Sequence, residues 1–391
     1  MATKDQPTIL LCDAAFSAVP MLLALKRMGF RVAVCGARAT DPGHGLADLS
    51  LIFDYGDKEA LLRSVMNEGI KFLVPGCTDV SYLSCAWVAG QLHLPGYDSL
   101  ESTNIVHRKD RFRELCRTNG FPTPRSTLSP SEASTLKYPI LVKPSDSFSG
   151  KGIVKIETPA ALANGIGFAE LQSSTHSVVF EEFVDGQLYS HSAFLRDGRI
   201  AADFFVAEYC TVHPYQVNSS HVCTDLEDNV VGDLRQWLEA FASVLDLANG
   251  LVHTQFISNG KGFFLVEVAR RCPGDLYAAL ITKATGIDYA GMYAGAFCGL
   301  KPTAAPGTQH TRNISRHTVS VDRDCIFLSS DIEVPNAKTS FVPLKRTGEP
   351  LRAAPFDRAG IYFIEHRSPA EMKECTPKLK TLVTVETPDH D

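Results

Sequence analysis

Hydrophobic and polar positions run through the first hundred residues in two rhythms. Short apolar runs over 8–12, 31–35, 52–55 and 72–74 read as strands, and residues 18–28 and 58–67 between them carry apolar side chains at helical spacing, the first closed by Gly29. Strands that alternate with helices build a parallel, doubly wound sheet, which binds ligands at the carboxyl ends of its strands. Pro75-Gly-Cys-Thr-Asp79 occupies such an end. Beyond it the rhythm changes. Residues 108–120 form a helix with Phe112 and Leu115 three apart, closed by Gly120 and Pro122. Runs over 137–143 and 152–156 make a hairpin, 160–171 a helix and 178–184 a strand. Two further hairpins, 189–194 with 199–207 around Arg196-Asp-Gly-Arg199 and 251–258 with 262–268 around Asn259-Gly-Lys261, flank the longest helical pattern, 231–247. A helix over 275–285 ends at Gly286. Past Lys301 the chain reads as a strand and loop tail, with 360–365 its clearest strand, and no internal repeat is found.

The expected class is therefore α/β, turning α+β in the later part. An N-terminal doubly wound parallel sheet (1–105) is followed by two α+β subdomains (106–187 and 188–300) and a C-terminal segment (301–391) that completes the core. The 391 residues include 45% hydrophobic and 21% charged side chains with a net charge of −6, an ordinary balance for a globular enzyme and not one suited to tracking a nucleic-acid backbone. No apolar segment approaches the ~20 residues that cross a bilayer, and the run from Ile9 to Leu11 is too short for a signal sequence. Eleven cysteines without a Cys-x-x-Cys pair fit a reducing compartment, so the expectation is a cytoplasmic protein with no membrane or nucleic-acid partner.

Two stretches carry chemistry. In Ile140-Leu-Val-Lys-Pro144 followed by Ser145-Asp-Ser-Phe-Ser-Gly-Lys-Gly152, an apolar strand ends on Lys143 and enters a small-residue loop whose amides can meet phosphate oxygens. No Gly-x-x-x-x-Gly-Lys-Ser/Thr sequence occurs, so any phosphate grip comes from sheet hairpins rather than a P-loop. Taken singly, Lys143 would be a strand-end lysine in water; Gly150 and Gly152 after it favour the phosphate. In Phe264-Leu-Val-Glu-Val-Ala-Arg-Arg-Cys-Pro-Gly-Asp275 a single carboxylate, Glu267, stands inward on an apolar strand four residues before Arg271, and magnesium explains such a group well. Arg270 alternates away, as a surface ion pair would. Pro273-Gly-Asp275 could cap the next helix, Asp275 as a simple N-cap. His191, His213 and His221 follow no zinc spacing, and His253 reads as a core histidine bonded to backbone as readily as a site residue. Arg312, Arg316 and His317 are weak candidates for an anionic substrate.

These stretches, with Glu181-Glu-Phe-Val184 between them, resemble the ATP-grasp superfamily, which includes biotin carboxylase and D-alanine ligase. The resemblance spans roughly Lys109 to Asp275. It implies ATP and Mg2+ as cofactors: Lys109 and Lys143 on the phosphates, Ser147, Ser149, Gly150 and Gly152 as a mobile flap, and Glu181, Glu182 and Val184 on adenine. Glu267 would hold magnesium, and Arg271 would meet the transferring phosphoryl group. Where many relatives place an acid on the ribose this chain has Leu188, which leaves Gln187 as a substitute. The first metal position is Gln255, a glutamine as in carbamoyl phosphate synthetase, and the family's asparagine after the glutamate is replaced by Ala269. The activity so implied is a carboxylate-amine ligase that makes an acyl phosphate, joins it to an amine and releases ADP and phosphate. Its partners would be a small carboxylate and an amine, in a chain that can be a homodimer. The alternatives are a bicarbonate-activating carboxylase of the same fold and a nucleotide-binding regulator without turnover.

Overall fold

The computed structural model describes residues 6–147, 150–223, 225–260, 262–303 and 312–388. Its N-terminal sheet holds β1 (Thr8–Cys12), β2 (Arg31–Gly36), β3 (Leu49–Ile52) and β4 (Phe72–Pro75) in the order β3-β2-β1-β4, all parallel. Ile9, Leu11 and Val34 pack toward the helix Val19–Arg27, whereas Leu10 and Ala33 pack toward Lys58–Asn67 and Asp79–Leu92. Covered on both faces, the strands are unbroken apolar runs. The strand expected over 52–55 lies earlier, at Leu49–Ile52. Phe53 and Tyr55 pack on the same core from the turn that follows it, and burial in a turn leaves the apolar signature of a strand. The helices Asp79–Leu92 and Tyr289–Ala296 escaped the sequence pattern because they are buried nearly all round and offer no polar face to set a period.

A second sheet, antiparallel in the order β5-β8-β6-β7, contains β5 (Ser126–Thr127), β6 (Ile140–Pro144), β7 (Val154–Ile156) and β8 (Val178–Glu182). Ile140, Val142 and Phe180 face the helix Leu162–Glu170. The third and largest sheet takes β9 (Gln187–Arg196), β10 (Arg199–Tyr209), β11 (Ser219–Val222), β12 (Gly250–Ser258) and β13 (Phe263–Ala269). The tail supplies β14 (Asn313–Val319), β15 (Cys325–Ile326), β16 (Ser329–Ile332), β17 (Lys338–Pro343), β18 (Pro350–Leu351), β19 (Gly360–His366) and β20 (Val383–Glu386). Three of these extend the large sheet, whose order is β13-β12-β9-β10-β11-β14-β19-β17; β15 pairs with β18 and β16 with β20. The turn between β9 and β10 has Asp197 and Gly198 both left-handed, at φ 53° and 76°, which an Asp-Gly pair supplies at little strain. The strand β11 was invisible as a pattern because its buried side chains are largely polar, Ser219 Oγ lying 2.7 Å from His317 Nδ1.

Trp237, Leu238 and Phe241 of the helix Asp228–Leu245 cover one face of the large sheet. Helices Tyr277–Thr285 and Tyr289–Ala296 cover the other and continue into the core of the N-terminal sheet. The first of these starts at Tyr277, not at residue 275, because Asp275 and Leu276 are both left-handed (φ 53° and 56°), and Asp275 pairs with Arg358 at 3.2 Å instead of capping. No helix among the described residues is long and apolar enough to cross a membrane.

Arg270 overturns its expected surface role. It is 3% exposed, binds Asp98 at 2.7 and 3.2 Å and donates to the carbonyls of Leu251 and Ala248. The strand ends at Ala269, so alternation no longer governs the next residue. Burial opposes the guanidinium charge, and Asp98 more than restores it. Removing one partner of a buried pair strands the other charge. Asp98→Ala should therefore lower the unfolding free energy by about 3–5 kcal/mol, read as a shift in the urea midpoint; a loss too small to measure would mean that Arg270 finds its compensation elsewhere.

Candidate active site

A cavity of about 720 Å³ lies between the small sheet, the large sheet and the strand ends of the N-terminal sheet. Alternation along β6 turns Leu141 and Lys143 toward it while Ile140 and Val142 face the covering helix. Lys143 is 5% exposed and its ammonium sits 2.5 Å from Glu181 of β8. The other oxygen of Glu181 accepts from Arg113 Nε at 2.8 Å, and Arg113 reaches on to the carbonyl of Val266 in β13 at 2.8 Å. The helix Lys109–Asn119 makes this reach possible by burying Phe112 and Cys116 in the large-sheet core, which turns the adjacent Arg113 inward. Lys109, one turn earlier, donates to the carbonyl of Ser147 and borders a recess shared with Asp79 and Glu267. Two cations thus share one carboxylate. Burial alone would raise the pKa of Glu181, but Arg113 and Lys143 bring it down to about 2. Lys143 is pulled below its ordinary value by burial, with Arg113 and Lys109 adding to that pull, even though Glu181 opposes it. The cluster carries surplus positive charge that a polyphosphate would relieve.

Across the cavity, Gln255 of β12 is the register partner of Glu267 of β13, and both line the wall. The amide of Gln255 donates to Glu208 of β10 at 2.7 Å, which leaves its carbonyl oxygen for another partner. Glu267 is half-buried, and its carboxylate makes no hydrogen bond or ion pair to another described residue. Glu208 is 4% exposed, and burial raises its pKa. Arg271 donates through Nε to Asp79 at 2.8 Å. Burial would raise the pKa of Asp79, but Arg271 and His107 hold it well below the carboxylate range. His253 is buried against Ser192 Oγ at 2.8 Å, a side-chain bond and not a backbone one, and burial beside Arg271 depresses its pKa to about 3. Among the described residues no group of three or more His, Cys, Asp or Glu could hold a metal by itself, His191, His213 and His221 included.

The remaining expected residues divide. Gly150, Glu182 and Val184 line the cavity. Gly150 has φ 73°, and a Cβ on it would meet the Tyr215 carbonyl at 2.6 Å; at Gly152 (φ 75°) it would strike Gln172 and Pro144. Ser147 is turned away, its Oγ donating to the Lys151 carbonyl at 2.8 Å, and Ser149 lies outside the described residues. Glu182 accepts from the Lys137 amide at 2.8 Å. Gln187 does not line the cavity, since its amide donates to the carbonyls of Leu188 and Glu208 at 2.8 Å each, and Leu188 is the residue at the wall. Arg312 pairs outward with Glu365 and His317 is spent on Ser219, so of that trio only Arg316 reaches the cavity. Sequence reading passed over Arg113 and Glu208 as site residues, and it set the stretch ending in Asp79 at a ligand-binding strand end without giving Asp79 a role. Glu208 had left a signal, for it continues the inward alternation Phe204, Val206, Glu208 where an apolar residue was due.

No family model matches the sequence. Over 190 residues the chain is 25% identical to formate-dependent phosphoribosylglycinamide formyltransferase of Synechococcus sp. (strain CC9902), a match covering 46% of this chain and 48% of that protein, so the chain spans about half the length of that relative. In three dimensions it is similar to an L-amino acid ligase from Bacillus licheniformis, with a TM-score of 0.80 and 15% identity over 99% of this chain and 100% of that one. It is also similar to the biotin carboxylase domain dimer of Hydrogenobacter thermophilus 2-oxoglutarate carboxylase, solved with MgADP, ADP and bicarbonate, with a TM-score of 0.78 and 13% identity over 97% and 90% of the two chains. At such identities the likeness is one of fold.

The depressed pKa of Glu181 fixes a pH signature. A carboxylate that ionises more readily when folded stabilises the protein fully above its ordinary value of 4.5, and that stability fades as pH falls toward about 2. Glu181→Gln should lower the unfolding free energy at neutral pH by on the order of 3 kcal/mol, with the gap to wild type narrowing below pH 4.5. Denaturation curves at neutral and acid pH check this; a gap that does not change between them would remove the ion cluster as its cause.

Proposed function

We propose that this chain, which has the fold of the ATP-grasp superfamily, is an ADP-forming ligase that phosphorylates a substrate carboxylate with MgATP and joins the acyl phosphate to an amine. One observation carries the reading: Lys143, at the end of a small-sheet strand, and Glu267, an unpartnered carboxylate on the large sheet, line a single cavity. Lys143 suits a polyphosphate between the sheets, with Arg113 behind it on Glu181 and Lys109 bordering the adjoining recess. Leu141, Ile153, Leu188, Ile257 and Val266 form an apolar slot for a base, beside the backbone of Phe183 and Val184. Leu188 leaves the ribose without an acidic partner at that position.

The donor set fits magnesium held largely by phosphate. Glu267 offers a free carboxylate, Gln255 an uncommitted carbonyl oxygen, and Ala269 nothing, so the protein supplies few ligands and nucleotide and water supply the rest. When bound, the ion neutralises charge that develops on the transferring phosphoryl group. Arg271, held by Asp79 through Nε, keeps its two terminal nitrogens outside that contact, suited to the same phosphoryl oxygens and to the substrate carboxylate. Gly150 against Tyr215 closes the cavity on the flap side, which would shield an acyl phosphate from water. A homodimer in the cytoplasm is compatible with this reading; no disulfide forms among the described residues, and the Hydrogenobacter thermophilus relative is a dimer.

Lys143→Ala and Glu267→Ala should each reduce carboxylate-dependent ADP release by roughly 100-fold or more, measured with coupled ADP detection over a panel of small carboxylates and amines. Turnover that persists in both variants would remove the site. Activity that requires bicarbonate and no other acid would convert the reading to a carboxylase.

A further inference from the structure

At the end of the helix Leu100–His107, two residues before Lys109, stands a histidine that the ligase reading has not used. His107 is 6% exposed and lies behind the wall of the main cavity without lining it. Its ring is stacked on that of Tyr82, with centroids 4.9 Å apart and planes 21° from parallel, which fixes the direction of its nitrogens. Nδ1 sits 3.2 Å from Asp79 Oδ1. Burial opposes the charge of Asp79, but Arg271 and His107 keep it ionised; a carboxylate only accepts, so Nδ1 carries the proton of this bond. The other ring nitrogen, Nε2, is buried with no hydrogen-bond partner among the described residues. A buried nitrogen left unpaired is costly, and an apolar side chain would fill the same space without that cost. The bond to Asp79 is what sets His107 apart from packing.

A carboxylate that faces a guanidinium ordinarily takes two parallel hydrogen bonds, from Nε and from one terminal nitrogen. The adjacent Arg270 binds Asp98 in this way, at 2.7 and 3.2 Å. Arg235 does the same on Asp203, at 2.7 and 2.9 Å, and there His191 shares the oxygen that already takes Nε, so the fork stays closed. At Asp79 the arrangement differs. Arg271 donates through Nε to Oδ2 at 2.8 Å, and the second oxygen, which would complete the fork, is the one turned to His107. We propose that His107 is a positioning residue for Arg271: by holding Oδ1 of Asp79 it keeps the guanidinium from closing a two-bond fork, and so leaves both terminal nitrogens of Arg271 for the cavity. The proposal rests on the ligase reading, in which those nitrogens meet the phosphoryl oxygens and the substrate carboxylate. A closed fork would spend one of them on the protein.

The test uses the full chain and two readouts. Phenylglyoxal condenses with the terminal nitrogens of arginine, and its rate of addition to Arg271 is followed by peptide mass spectrometry. His107→Phe keeps the stack on Tyr82 and removes the bond to Asp79; His107→Leu does so with a smaller side chain, which covers the case in which the phenyl ring disturbs folding. Either variant should slow labelling of Arg271 by about 3–10-fold, and His107→Asn, whose amide can take the place of Nδ1, should restore most of the wild-type rate. The second readout is ADP release with MgATP, hydroxylamine and the best acid from a panel of small carboxylates. There the apolar variants should lower kcat by about 10–100-fold with the KM for MgATP changed less than about twofold, and His107→Asn should again recover most of the loss. In an Arg271→Lys background no fork can form, so adding His107→Phe should cost less than about twofold more. Labelling that is equal in wild type and the apolar variants, or losses that multiply in the double variant, overturn the proposal. Wild-type protein that releases no ADP with any acid overturns the ligase reading instead, and the labelling rates still decide whether His107 holds Arg271 open.

Discussion

A single buried carboxylate ties the small and large sheets together. Glu181 is 1% exposed, and its two oxygens are taken by cations from different elements: Lys143 on the neighbouring strand and Arg113 on the helix that leads into the small sheet. Arg113 also bonds to β13 of the large sheet through the carbonyl of Val266. Small sheet, connecting helix and large sheet are thereby fixed about one point. The same contact sets the local charge, because two cations on one carboxylate leave a positive excess. Structure and chemistry share one cause here. Without Glu181, Lys143 and Arg113 would repel each other in a low-dielectric setting; with it they are held close together.

Docking of the N-terminal sheet follows a similar logic. Two consecutive arginines just past the end of β13 reach two acids of the first hundred residues, Arg270 to Asp98 and Arg271 to Asp79. The first pair is sealed from water and serves the interface. The second opens on the cavity and serves the site, with Asp79 further braced by His107 at 3.2 Å. The cavity wall at Arg271 is therefore built across the boundary between the N-terminal sheet and the large sheet.

The main elements and the two chemical stretches were legible from pattern alone. Lys143 was readable because an apolar run with a polar break near its end is rare and the glycines after it have few structural uses. Glu267 was readable for the same reason. Arg270 was not, since the argument from alternation stops where the strand stops, one residue before it. Gln187, expected near the ribose, lies off the cavity wall with its amide on the carbonyls of Leu188 and Glu208, contacts that no side-chain pattern records.

Local patterning determined which segments become strands and helices and which side chains break an apolar face, because those depend on the two-residue and 3.6-residue periods of the backbone itself. It also determined that a phosphate site, if present, would be built from hairpins. Only the tertiary structure decided which charges meet. Glu181 with Arg113 and Arg271 with Asp79 bring together residues up to 192 positions apart. Such pairings depend on strand order and register, which are set by the packing of whole sheets and leave no trace in the short-range periodicity of the chain.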